Sequence, residues 1–120
     1  MHEVTADTDK NRLYVTLSGN ISREEAERTV DAVVASVSRL RDGFDVINDL
    51  SELRLSHLSA AGTLRNVMDF LKSHHVGRVI RVAGRSRMGF TQFLRAAERF
   101  TAYRPEYARS REEAERMLER

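Results

Sequence analysis

Three short apolar runs, Leu13 to Leu17, Val46-Ile47 and Val79 to Ala83, are separated by longer stretches whose apolar residues recur every three or four positions. This alternation of strand and helix periods leaves little choice of architecture. Strands that follow one another through helices line up parallel, with helices packed on the sheet. In the first run Leu13, Val15 and Leu17 alternate with Tyr14, Thr16 and Ser18, the pattern of a half-buried strand over Arg12 to Gly19. Met1 to Asp7 reads as a strand before it. The turn-forming Thr8-Asp9-Lys10-Asn11 joins the two as an antiparallel hairpin.

Two helix starts are spelled out as capping boxes, Ser22-Arg23-Glu24-Glu25 and Ser110-Arg111-Glu112-Glu113. In each, the serine accepts from the backbone three residues on and the glutamate reaches back. Behind the first, Ala26, Val30, Val33, Val34, Val37 and Leu40 share helical spacing, closing at Gly43. Behind the second come Ala114, Met117 and Leu118. Phe44 to Leu50 forms the next strand, and Ala61, Leu64, Val67, Met68 and Leu71 mark a helix opening near Ser59. Phe90, Phe93, Leu94 and Ala97 mark another, and Tyr107-Ala108 a short strand. The expected order is ββαβαβα, then the short strand and a final helix. That is one α/β domain over residues 1–120, with a mostly parallel sheet and an antiparallel edge strand.

Composition excludes several classes of function. The chain has no cysteine, so disulfides, thiolate chemistry and cysteine metal sites are absent. No apolar run approaches the roughly 20 residues of a membrane helix. The N-terminus lacks the basic flank and apolar stretch of a signal peptide, so a cytoplasmic address is expected. A formal charge of +2 is too balanced for a nucleic-acid binder, although Arg78, Arg81, Arg85, Arg87, Arg95 and Arg99 crowd a stretch containing one acid, Glu98.

The element order, together with the segment Asp49-Leu50-Ser51 followed by His57-Leu58-Ser59-Ala60-Ala61-Gly62, resembles the STAS domain, the fold of bacterial anti-sigma-factor antagonists. In that family a strand ends in Asp-Leu-Ser, and Asp-Ser-Ser-Gly-Leu-Gly follows at a helix start. The resemblance places Ser59 on the family's phosphorylatable serine and Gly62 on its last glycine. His57 stands where the family has an acid, Leu58 where it has a serine and Ala60 where it has a glycine. It implies a non-catalytic regulatory module that docks onto a protein of anti-sigma-factor or kinase type, switched by phosphorylation at Ser59. Asp49, Ser51, His57, Arg85 and Arg87 are the candidate partner-binding residues, within a docking surface made of the loop from Ser51 to Ser59, the helix from Ala60 to Leu71 and the arginines. Helix starts hold phosphate well, through free N–H groups and the dipole. The plainer role of Ser59 is a simple N-cap.

Other residues lead less far. Asp49, His57 and Ser59 are the residue types of a nucleophilic triad, but no Gly-x-Ser-x-Gly elbow presents the serine. Asp49 then tidies backbone N–H groups at its strand end. His74 and His75 are adjacent, pointing apart on a helix; a contact with the helix C-terminus explains them better than a metal. Neither metal nor cofactor is expected. Gly84-Arg85-Ser86-Arg87-Met88-Gly89 is no Walker loop, though its arginines suit an acidic or phosphorylated partner. Tyr14, Thr16, Val79 and Arg81 are expected on an open sheet face, available for a homodimer or a partner. The alternative to docking is a small-ligand carrier, holding an apolar or anionic molecule near Phe90, Phe93 and Tyr103.

Overall fold

The computed structural model describes residues 1–54, 59–83 and 105–119, with residues 59–65 described by their backbone. In chain order the elements are β1 (His2–Asp7), β2 (Arg12–Asn20), α1 (Arg23–Val37), β3 (Asp45–Arg54), α2 (Ser59–Ser73), β4 (Val79–Val82), β5 (Glu106–Ala108) and α3 (Arg111–Leu118). The expected helix around Phe90 to Ala97 lies outside the described residues. The strands form one sheet in the order β1-β2-β3-β4-β5. β1 pairs antiparallel with β2, and every later pair is parallel. The hairpin turn holds because the Asp7 carboxylate accepts from the N–H groups of Asp9 and Lys10, at 3.1 and 3.0 Å.

Parallel register sorts the side chains into two layers. Leu13, Val46 and Val79 stand side by side, as do Val15, Asn48 and Arg81 one step along. Leu13, Val15, Val46 and Val79 face α1 and α2, packing with Val33, Val37, Met68 and Leu71 over a fully buried Phe44. The alternate residues Ile47, Ile80 and Val82 face the other way and pack with Ala108 and with Ala114 and Leu118 of α3. Burial of ten or more such side chains, each worth about 1.5–3 kcal/mol, drives this layering.

Three expectations are corrected. Tyr14, Thr16, Val79 and Arg81 do not share an open face: Val79 and Arg81 are buried on the α1–α2 side, and Tyr14 packs against the α3 cluster. Val79 and Arg81 sit two apart on one strand, so register alone sends both to the same side as Leu13. β3 does not stop at Leu50. It runs to Arg54 through an irregularity in which Leu50 and Ser51 stand against Leu17 alone, between the pairs Thr16↔Asp49 and Ser18↔Glu52. The first capping box is also only half as drawn. Ser22 and Ser110 accept from Glu25 and Glu113 as expected. Glu25, however, turns to His2 Nδ1 at 3.0 Å and to the Met1 amine at 3.3 Å. The His2 hydrogen bond, and after it the Met1 amine, lower the Glu25 pKa.

One close approach has a clear steric cause. A methyl group at Gly77 would lie 2.6 Å from both the Gly43 carbonyl and the Asp45 carboxylate. The Gly77 N–H donates to the Phe44 carbonyl there, pinning the entry of β4 against β3.

Candidate docking surface at the end of the sheet

Parallel β3 and β4 deliver their C-terminal ends to the same side of the sheet, where open α/β sheets place their binding sites. Asp49 and Ser51 meet there. The Asp49 carboxylate accepts from the Ser51 N–H at 3.0 Å and from its hydroxyl at 2.6 Å, both through Oδ1. The bond satisfies backbone that the irregularity takes out of the β2–β3 ladder. Asp49 therefore shapes the strand end, as the sequence suggested, although the strand itself continues. Beyond it Glu52 and Arg54 are exposed while Leu53 turns inward beside Leu50. The expected docking loop from Ser51 to Ser59 is accordingly shorter, since Ser51 to Arg54 is strand.

Ser59 is the first residue of α2, a helix of 15 residues with no acidic residue in its first turn. The helix takes Ser59 in as its first residue. Its own first turn thus sets no carboxylate against the dipole at that end. At the other end His74 Nδ1 lies 3.0 Å from the Phe70 carbonyl, the helix C-terminal contact expected of it. His57, Arg85 and Arg87 lie outside the described residues, as do Phe90, Phe93 and Tyr103. Among the described residues no group of three or more His, Asp or Glu side chains could hold a metal, and no helix is long and apolar enough to cross a membrane.

The sequence reading missed a buried polar pair just beneath this end of the sheet. Arg81 is 2% exposed, and its Nη1 donates to Asn48 Oδ1, while Asn48 Nδ2 donates to the Val15 carbonyl at 3.0 Å. A charge this deep is costly unless hydrogen-bonded. The signal was present: Asn48 and Arg81 each interrupt an apolar strand core, and aligning the two runs brings them level.

No family model and no curated protein sequence matches the chain. Solved structures do match in shape. The Bacillus cell fate determinant SpoIIAA in its phosphorylated form superposes with a TM-score of 0.67 at 16% identity, covering 99% of this chain and 100% of that one. The anti-sigma factor antagonist SpoIIAA in its unphosphorylated form superposes with a TM-score of 0.66 at 14% identity, covering 98% and 96%. The likeness spans both chains from end to end, so the chain has the STAS-like fold that SpoIIAA displays.

Proposed function

We propose that the chain is a one-domain, non-catalytic cytoplasmic regulator that docks onto a protein partner, with Ser59 as its phosphorylation switch. The observation that carries this reading is the end-to-end match to an anti-sigma factor antagonist, together with the position of Ser59 at the head of α2. A phosphate on Ser59 adds about 1.5–2 negative charges where the helix dipole favours them. The partner is of anti-sigma-factor or kinase type, and its contacts are Asp49, Ser51 and His57, with Arg85 and Arg87 meeting acidic groups. The carrier reading has less behind it. Its residues, Phe90, Phe93 and Tyr103, lie outside the described residues, and the match to an anti-sigma factor antagonist supports docking instead.

The test is an affinity capture from native extract with wild type and Ser59→Glu as baits, read by mass spectrometry. A protein held by wild type and released by Ser59→Glu supports both docking and the switch. The same protein on both baits keeps docking and removes the switch. No specific protein on either bait removes the docking reading.

A further inference from the structure

The two edges of the sheet differ in how well they are closed. β5 is three residues long, follows Pro105, and is tied down by Glu106, which takes two hydrogen bonds from Arg78 at 2.8 and 2.7 Å. Short length, proline and charge are the usual means of blocking an edge. β1 is six residues long, has no proline or lysine, and keeps regular pairing with β2 throughout. Among the described residues no strand pairs with its outer side.

The phase of the β1–β2 ladder fixes which groups that edge offers. Met1 and Ser18 exchange both backbone hydrogen bonds, at 2.8 and 2.9 Å. In an antiparallel pair such doubly bonded positions alternate, so Glu3, Thr5 and Asp7 bond inward to β2. The N–H and C=O groups of His2, Val4 and Ala6 therefore point away from the sheet.

We infer that β1 is a self-pairing edge, on which a second copy of this chain docks antiparallel about a two-fold axis through Val4. In that register Val4 faces Val4 of the second copy and His2 faces Ala6, so all three outward-facing residues find doubly bonded partners. Side chains keep to their own faces of the joined sheet, because each pair has the same parity. Glu3 falls opposite Thr5 at the positions where side chains come closest. Shifting the axis to Thr5 sets Glu3 against Asp7, and shifting it to Glu3 sets Glu3 against itself. The Val4 register is thus the one among these that opposes no like charges. The inference is independent of the Ser59 switch, and the small contact makes the dimer a weak, concentration-dependent one.

Sedimentation over a protein concentration series tests it with three variants. Thr5→Lys places a cation opposite Glu3 twice per dimer and should tighten association by roughly two- to thirty-fold, while Thr5→Glu should weaken it by a similar factor. Ala6→Pro removes one outward N–H and leaves the β1–β2 ladder intact, so it should abolish the dimer. Circular dichroism checks that each variant is folded; the Thr5 pair alone decides the matter if Ala6→Pro is not. A wild-type chain that stays monomeric at every concentration overturns the inference. So does a dimer whose affinity is the same in Thr5→Lys and Thr5→Glu.

Discussion

The two faces of the sheet are held by different forces. Toward α1 and α2 the layer is apolar around Phe44, with Leu13, Val46, Val79, Met68 and Leu71, and the buried Arg81–Asn48 pair interrupts it. Toward α3 the apolar layer is thinner and charge completes it. Arg12 Nη1 donates to Glu115 at 2.5 Å, and both are largely sheltered from solvent. Burial works against the Arg12 charge, but Tyr14 and then Glu115 and Asp45 more than offset it, leaving its pKa raised. Arg78 bridges Glu106 to the Met117 carbonyl at 2.6 Å, placing a cation at the C-terminal end of α3. Arg111 lies 4.8 Å from the centre of the Tyr14 ring. A helix of eight residues buries too little to hold itself down, so its clasps carry part of the load.

Mutations can break this contrast, and the largest effect belongs to the apolar face. Phe44→Ala should cost about 3–5 kcal/mol in urea unfolding. A loss below about 1 kcal/mol would mean that the face is not packed as described. Next comes Glu115→Ala on the clasped face, which deprives a sheltered Arg12 of its carboxylate and should cost about 1.5–3 kcal/mol. Its loss should respond to added salt less than a surface pair would, because the bond is screened from solvent.

The smallest effect is in pH dependence and sharpens the comparison, because the clasped face carries Tyr14, whose phenol is raised. Burial, then the Glu115 carboxylate, raises the Tyr14 phenol, with Arg12 pulling the other way. The folded state therefore holds this proton more tightly than the unfolded one. Its contribution is complete below about pH 10, the ordinary tyrosine value, and is lost as pH rises through the raised one. Thermal melts in that range should fall less steeply for Tyr14→Phe than for wild type. Equal slopes would separate Tyr14 from the clasp.

Much of the scaffold was legible in the chain. Ser22 and Ser110 cap the helices that their motifs announced, and the alternation from Leu13 to Leu17 gave a strand with those three residues on the α1–α2 side. The candidate site was legible in part. Asp49 and Ser51 do meet, but the continuation of β3 to Arg54 was hidden because Ser51-Glu52 reads as loop until Asp49 supplies the missing acceptor. Val34, counted with the apolar stripe of α1, is 43% exposed, since a stripe that wide cannot all reach the sheet.

The sequence by itself determined the periods, the helix starts and hence the βα order, because these rest on sterics and hydrogen bonds among residues three or four apart. Only the tertiary structure decided where the charges went. Arg81 meets Asn48 across 33 residues and Arg12 meets Glu115 across 103, contacts that no local pattern encodes. Each arises because a guanidinium taken out of water must find an acceptor, and the register of a distant element determines which acceptor is there.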